Sequence, residues 1–376
     1  DETKKHYSSI EIPDEVLFPP GSNIEELAMA LYKNSYRPNK MICAMTTRAL
    51  IAFMAGGKYK SVQGDRLNIQ QVITAGTAVG KNVGVNAFNQ HATKLLGPDN
   101  LDLSIMLRQK IVNSALSSTQ GIMDSAKDGH HHDMLFNIDE YGKFIEEATG
   151  KNADKNKAAY YNMFLEIYSA SNGTYIPSHL SKANDQKPRI LHAPCFILNA
   201  ATTQATFIDG VSSDDLVSGR IGRLCVFDAD RYAHRPVDPE PFEISEDLQN
   251  HLAKLSDTKV LEQNMVLIDK DLISQARVDT PIIIDFANGV KERVAELRDR
   301  YYDKYEQQSF GVIWTRAIEN IKKYACIEAV AEDYMNPVVT VDMLERARLL
   351  VEASCKYMVA MFDEEVSENQ YDGAEK

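Results

Sequence analysis

The sequence predicts an α/β protein in which buried parallel strands carry helices on both faces, with more helices at each end of the chain. Short apolar runs alternate with longer stretches of helical periodicity, which is typical of parallel strands joined by helical crossovers. The runs are QQVIT (70–74), MLFNID (134–139), CFILNA (195–200) and LCVF (224–227). We therefore expect a three-layer core over residues 59–232.

Helical segments are expected on either side of this core. Ser22 or Asn23 is placed to cap a helix through IEELAMALYKNS, and a second helical pattern, KMICAMTTRALIAFMAGG, stops at a glycine pair. These patterns predict an N-terminal helical portion over residues 1–58. A proline-rich linker, DADRYAHRPVDPEPFE, precedes three long helical patterns, which predict a C-terminal helical lid over 233–362. The acidic tail, 363–376, is expected to be disordered.

Composition and charge narrow the function classes. The chain has 376 residues, 44% of them hydrophobic and 25% charged, and a formal net charge of −13. This acidity argues against coating duplex DNA through a broad basic face, although a locally basic channel stays compatible with it. Five scattered cysteines without a C-x-x-C pair favour reduced core thiols and a cytoplasmic setting. No signal peptide or membrane-spanning run is expected. The chain begins without methionine, and we expect it to be part of a longer protein.

A glycine-rich loop follows the first apolar run and is nearly a phosphate-binding loop, G-x-x-x-x-G-K-[ST]. The residues concerned are Ala75, Gly76, Thr77, Ala78, Val79, Gly80, Lys81 and Asn82. In such a loop the backbone N–H groups wrap a phosphate, the lysine reaches the outer phosphates and the hydroxyl binds magnesium. Here Ala75 replaces the first glycine and Asn82 replaces the hydroxyl residue. Taken alone, the match is equally compatible with a glycine turn.

Asp139 and Glu140 lie at the end of the second apolar run, about sixty residues after the loop. In nucleotide hydrolysis an aspartate at such a strand end holds magnesium and the following glutamate polarises the attacking water. Two solvated acids at an ordinary strand end are the alternative. The upstream loop favours the catalytic interpretation.

Three more positions carry polar groups suited to the same chemistry. Asn199, in FILNAATTQATF, is expected at a strand end, where it would orient the attacking water; an asparagine in a turn is the alternative. Arg220 and Arg223 precede the last apolar run, where arginines of one subunit can offset charge on the phosphates of the next; pairing with nearby aspartates is the alternative. Arg316 begins a C-terminal helix and is expected to reach back to the nucleotide, although a helix-surface role explains it equally well.

The stretch between the second and third apolar runs is the natural place for nucleic acid. It combines tyrosines with basic residues, of which Lys182, Lys187 and Arg189 are the candidates for contacting the backbone. An ordinary polar insertion explains the stretch as well.

In their order, these motifs resemble the helicase-like ATPase part of phage- and plasmid-borne primase–helicase proteins, which are P-loop NTPases with AAA+-like and superfamily 3-like features. The likeness covers roughly residues 11–355. It runs through IPDEVLFPP, AGTAVGKN, SALSSTQGIMD, NIDEYGKF, HAPCFILNAATTQATF, DLVSGRIGRLCVF and VIWTRAIENIKKYACIEAVAED. Asn82 is the departure from the family pattern, and it bears on magnesium affinity and turnover.

The resemblance implies an ATP-dependent, ring-forming DNA helicase with an AAA+/RecA-like core, a C-terminal lid, ATP and Mg²⁺. ATP would bind to the loop from Ala75 to Asn82. Asp139 and Asn82 would bind the metal ion, and Glu140 would polarise the attacking water. Asn199 would act as a sensor, Arg220 and Arg223 would act on a neighbouring subunit, and Arg316 would be a lid arginine. The implied partners are single-stranded DNA in a central channel, further copies in a homo-hexamer or similar ring, and a primase/polymerase module in the full-length protein. A phage-encoded chain would work in the host cytoplasm.

Two alternatives stay open. An ATP-dependent switch or loader would remodel a replication complex without unwinding. A degenerate nucleotide-binding domain, which Asn82 alone favours, would serve as an assembly scaffold.

Overall fold

The computed structural model describes residues 11–113, 133–150, 153–176, 191–212, 215, 219–257, 281–307 and 310–374. The helices are α1 (Asp14–Leu17), α2 (Asn23–Lys33), α3 (Lys40–Ala55), α4 (Asn82–Leu96), α5 (Leu101–Arg108), α6 (Tyr141–Thr149), α7 (Lys155–Ala170), α8 (Gln204–Gly210), α9 (Glu246–Ser256), α10 (Val290–Gln307), α11 (Ala317–Glu332) and α12 (Val341–Ala374). The strands are β1 (Tyr59–Ser61), β2 (Gln70–Thr74), β3 (Ile111–Val112), β4 (Asp133–Ile138), β5 (Thr174–Tyr175), β6 (Leu191–His192), β7 (Cys195–Thr202), β8 (Cys225–Asp228), β9 (Ile282–Phe286) and β10 (Val338–Val339).

A parallel five-stranded sheet, with the strand order β3-β4-β7-β2-β8, forms the centre of the fold. The four apolar runs are confirmed as β2, β4, β7 and β8, and the α/β class is confirmed with them. Register places Asn137 opposite Asn199, and Thr74 opposite both Thr202 and Asp228. Because all these ladders are parallel, the strands end at one common edge, which we call the carboxyl edge. They begin at the opposite amino edge.

Helices cover both faces of this sheet. Phe136 of β4 packs against Phe196 of β7 and Phe164 of α7, with ring centroids 5.3 and 4.7 Å apart. On the other face, the Gln71 side chain donates to the Met45 carbonyl of α3. Since successive strand residues point to opposite faces, α7 and α3 lie on different sides of the sheet.

The N-terminal helices are packed onto the core rather than apart from it. Ser22 caps α2 by accepting a hydrogen bond of 3.0 Å from the Glu25 N–H, as the sequence predicted. Helix α3 is buried at every position from Met41 to Ala55, and it contacts β7, β4 and α4. A mainly apolar helix that is buried on all sides is expected in such an interior layer of a protein.

A second, smaller parallel sheet pairs a strand that precedes the central sheet in the sequence with two strands of the C-terminal part. Its order is β1-β9-β10, with Tyr59 opposite Ile282 and Val338 opposite Asp285. The C-terminal part is therefore helical, as predicted, but it also contains two strands that the sequence analysis missed. Residues 59–61, assigned to the core, pair with this part of the chain.

The proline-rich linker is extended and bonded to the segment after α2. The Glu240 N–H donates to the Lys33 carbonyl (2.9 Å), Val237 to Tyr36 (3.0 Å) and His234 to Pro38 (3.2 Å). Three backbone bonds along one segment fix residues 33–38 to the linker.

Two remaining expectations concern the tail and the cysteines. Helix α12 continues to Ala374, so the backbone of residues 363–374 is helical, residues 375–376 lie outside the described residues, and disorder of the tail stays a prediction. All five cysteines are buried and unpaired, as predicted. Among the described residues, no helix combines the length and the apolar character that crossing a bilayer requires.

Candidate functional site

The phosphate-binding-like loop lies at the carboxyl edge, directly after β2. The chain leaves β2 toward β3 at one side of the sheet, and it later returns to place β8 on the other side of β2. The order of strands thus reverses at β2, and ligands of open α/β sheets bind in the crevice at such a reversal. Asp139 and Glu140 follow β4 at the same edge, so the fold brings the loop and the acid pair to one side of the sheet.

The loop has a backbone conformation that exposes consecutive N–H groups. Ala78 and Gly80 both have positive φ, of 66° and 91°. Within the described part of the chain, the N–H groups of Gly80, Lys81 and Asn82 donate no hydrogen bond. They stand at the first turn of α4, where the helix dipole also favours an anion. We call these three N–H groups the cradle, and unpaired donors at a helix N-terminus are suited to a phosphate-sized anion.

Two contacts from outside the loop fix its shape. Arg37 donates through Nη1 to the Ala78 carbonyl (2.6 Å), and Asp230 accepts a bond of 2.8 Å from the Gly76 N–H. A Cβ at Gly80 would stand 2.4 Å from the Arg37 carbonyl oxygen. Only glycine therefore fits at position 80. Neither Arg37 nor Asp230 was predicted from the sequence, because neither residue is near the loop along the chain.

Lys81 and Asn199 line one small cavity beneath the loop, together with Gly84 and Ile138. Its volume of about 10 Å³ is close to that needed for one water molecule. Because residue 84 is a glycine, the backbone of α4 can lie close to Asn199; a Cβ at this position would stand 3.1 Å from the Asn199 Nδ2 atom. Lys81 has no hydrogen-bond or ion-pair partner among the described residues. The structure thus brings two predicted site residues together around one cavity, whose other lining residues are mainly apolar.

Asn199 does not end its strand, and that prediction is wrong. Strand β7 continues to Thr202, a β-branched residue that suits a strand. Asn199 instead belongs to a buried chain of hydrogen bonds across the sheet, which we call the polar ladder. Its bonds join Tyr324 to Gln71 (3.0 Å), Gln71 to Asn199 (2.8 Å), Asn199 to Asn137 (3.1 Å) and Asn137 to Asn113 (3.2 Å). The ladder links the cavity wall to α11 and to the end of β3.

Asp139 and Glu140 are exposed at the carboxyl edge. Glu140 has a left-handed backbone, with φ 57°, and its N–H donates to the Asp139 Oδ1 atom at 3.0 Å. Non-glycine residues in this conformation carry strain that is concentrated at functional sites. The turn is held by Gly142, whose N–H donates to the Thr202 hydroxyl at 3.2 Å. Both carboxylates are thus exposed to solvent, and hydrogen bonds hold the backbone turn that carries them.

A larger groove runs beside the loop and was not predicted from the sequence. Its volume is about 370 Å³, within the range of small-molecule sites. It is lined on one side by residues 78 and 80–83 and on the other by Ser35, Tyr36 and Arg37. A nucleotide with its phosphates at residues 80–82 has room to extend into this groove.

The predicted arginines lie at the amino edge, before β8. Arg220 is held in its own chain by Asp215 Oδ1 (3.2 Å) and Asn162 Oδ1 (2.8 Å), so the alternative of pairing with an aspartate is realised for it. Arg223 donates to the Gly219 carbonyl (2.8 Å) and forms no ion pair within the described ranges. Burial, and then the neighbouring Arg316, lower the pKa of Arg223.

Arg316 lies beside these arginines and not beside the loop. Its side chain is next to Gly222, where an added Cβ would stand 3.8 Å from the Arg316 Cγ atom. Its expected reach to the nucleotide of its own chain does not fit this position. Glu319 binds Arg316 at 2.8 Å and Lys323 at 3.0 Å. Burial alone would raise the pKa of Glu319, but these two cations outweigh it and lower that pKa to about 2.

Lys182, Lys187 and Arg189 lie outside the described residues, and so the predicted nucleic-acid contacts stay predictions. Among the described residues, no group of three or more His, Cys, Asp or Glu side chains is arranged to hold a metal ion. A magnesium ion shared between a nucleotide and one or two oxygen ligands needs no such group.

No protein-family model matches this chain, and no curated protein matches it either.

Proposed function

We propose that this chain is an ATP-dependent, ring-forming DNA helicase of a phage or plasmid replication system, as the helicase part of a primase–helicase. The observation that carries the nucleotide part is the cradle of free N–H groups at Gly80, Lys81 and Asn82. It lies at the same sheet edge as Asp139 and Glu140 and opens into a groove of about 370 Å³. The ring and DNA parts rest on the order of motifs along the chain.

The loop would bind the phosphates of ATP. Backbone N–H groups of residues 80–82 would donate hydrogen bonds to the phosphate oxygens, while Lys81 would offset charge on the outer phosphates. The fixed conformation of the loop supports this role, because hydrogen-bond donors that are already oriented cost little reorganisation when a ligand arrives.

Asp139 and Asn82 would hold Mg²⁺, which would screen the phosphate charge during hydrolysis. The donor set fits a hard cation, since one carboxylate and one amide oxygen, both exposed, leave positions for water and phosphate oxygens. Glu140 would take the proton of the attacking water. Lys81 and Asn199, which line the cavity beneath the loop, would fix the geometry around the transferred phosphoryl group.

Arginines would complete the site from a neighbouring subunit. Arg223 precedes β8, whereas the loop follows the other end of the adjacent strand. The extended segment from Leu224 to Asp228, which contains β8, alone separates these edges by roughly 13 Å at 3.3 Å per residue. An arginine at the amino edge therefore suits the loop of another copy better than its own. Arg223, which has no acidic partner in the described part, fits this role better than Arg220.

ATPase activity with and without single-stranded DNA, measured beside the native mass, tests the proposal. We expect an oligomer whose ATPase is stimulated by single-stranded DNA and which separates forked duplexes. Glu140→Gln should lower kcat by about 10²- to 10⁴-fold, the usual share of a general base. Robust ATPase without strand separation on either fork polarity would instead favour the switch or loader. Turnover unaffected by Lys81→Ala and Glu140→Gln would contradict the site itself.

A further inference from the structure

The groove beside the loop has one wall that no predicted motif includes. This wall is the segment Ser35–Arg37, which follows α2 and lies outside the predicted ATPase core. The opposite wall is the phosphate cradle. If the phosphates of a ligand bind at the cradle, the part of the ligand attached to those phosphates would therefore contact this segment.

Tyr36 is the aromatic side chain of that wall. It is 59% exposed, and it has no ring or hydrogen-bond partner for its side chain among the described residues. Its backbone, in contrast, is fixed, because its carbonyl accepts a bond of 3.0 Å from the Val237 N–H of the linker. A phenol ring on a held backbone, open to a groove, offers a flat face at low entropic cost.

Arg37 couples this wall to the loop. Its guanidinium donates to the Ala78 carbonyl, and its own carbonyl oxygen lies against Gly80. The position of Tyr36 relative to the phosphate cradle is therefore set by direct contacts between adjacent residues and the loop. Such a fixed separation is what a ligand with an anionic end and an aromatic end requires.

We propose that Tyr36 and Arg37 form the base subsite of the nucleotide, with the Tyr36 ring stacking on the base and Arg37 holding the loop at the matching distance. This inference rests on the proposed nucleotide function. Stacking depends on the area of the base's flat face and not on the hydrogen-bonding groups at its edge. The subsite therefore prefers purines, which have the larger ring system, over pyrimidines.

Binding of ATP, CTP and inorganic tripolyphosphate to the full chain tests the subsite, since tripolyphosphate has no base. Tyr36→Ala should weaken ATP binding by about 5- to 30-fold, the lower part of the range for base–aromatic stacking. It should leave tripolyphosphate affinity unchanged. Tyr36→Phe, which keeps the ring, should bind ATP like the wild type, and wild-type protein should bind ATP more tightly than CTP.

Tyr302→Ala is the matched control, because Tyr302 is also 59% exposed but lies on α10, away from the groove. It should change none of these affinities. If Tyr36→Ala binds ATP like the wild type while Lys81→Ala loses both ATP and tripolyphosphate, the base subsite is refuted and the nucleotide site stands. If wild-type protein binds neither ligand, both proposals fail.

Discussion

Gly80→Ala is the substitution that tests the geometry of the loop most sharply. Gly80 has φ 91°, a region in which side chains are strained, and an added Cβ would stand 2.4 Å from the Arg37 carbonyl oxygen. That neighbour is backbone and cannot rotate away. The loop must therefore shift, which displaces the N–H groups of residues 80–82.

The magnitude follows from two costs. Holding a non-glycine residue in a sparsely populated backbone region costs about 1–3 kcal/mol. A hydrogen bond to a charged phosphate contributes about 1.5–3 kcal/mol, so loss of one such bond weakens binding by roughly 10- to 150-fold. We expect ATP and tripolyphosphate to lose affinity together, because the cradle meets phosphate in both ligands.

Calorimetric titration of both ligands measures the effect, with Gly97→Ala as the control. Gly97 also has a positive φ, of 80°, but it follows the last residue of α4, and a Cβ there would meet nothing closer than 3.8 Å. Gly97→Ala should therefore leave both affinities close to those of the wild type. Equal, wild-type binding by both variants would refute the assignment of the loop as a phosphate cradle.

Three further predictions concern the fold around the site. Glu319 has a lowered pKa of about 2, so it stabilises the protein above pH 4.5 and loses this effect as the pH falls toward 2. The stability difference between wild type and Glu319→Gln in urea unfolding should fall from about 3 kcal/mol at pH 6 to about half that at pH 3. Gly142→Ala should lower the free energy of unfolding by about 1–3 kcal/mol, because its Cβ would stand 2.2 Å from the Thr206 carbonyl oxygen. Gln71→Leu should cost about 1–3 kcal/mol for each buried polar group that it leaves unpaired in the ladder, by the same unfolding measurement.

Matched variants separate these effects from general sensitivity. Glu296, 65% exposed in its ion pair with Arg293, gives the control Glu296→Gln, which should show little pH-dependent difference. Gly173→Ala is the control for Gly142, because its Cβ would meet nothing closer than 4.0 Å. If either control matches its test variant, the contact invoked for that variant does not explain the result.

The strands of the central sheet were predictable because their signal is local. Strands β2 and β4 are buried at every position, and the clusters of apolar residues within the runs at 70–74 and 134–139 are what burial on both faces of a sheet favours. Strand β10, with two residues, was too short to have a period. Strand β9, which follows a proline, is only partly buried and lies within a stretch of strong helical patterns.

Contacts between distant residues account for what the sequence left undetermined. The loop was identified from its glycines and lysine, but its support by Arg37 and Asp230 comes from residues about 40 and 150 positions away. Asn199 was identified as a polar residue in an apolar run. The predicted strand, 195–200, ended before the observed strand β7 does, because threonines and a glutamine follow it in the sequence. Its partners on β2 and β4 became visible only once the strands were in register.

The mixing of two inactive variants tests the central claim, a nucleotide site completed by a neighbouring arginine, most directly. Lys81→Ala and Arg223→Ala should each have little ATPase activity alone. In a randomly mixed 1:1 ring, a site is intact when a subunit with Lys81 meets a neighbour with Arg223, which occurs at about one quarter of the sites. ATPase recovering toward that fraction of wild type is the predicted result. A mixture no more active than the separate variants, with ring formation shown by native mass, would contradict the account.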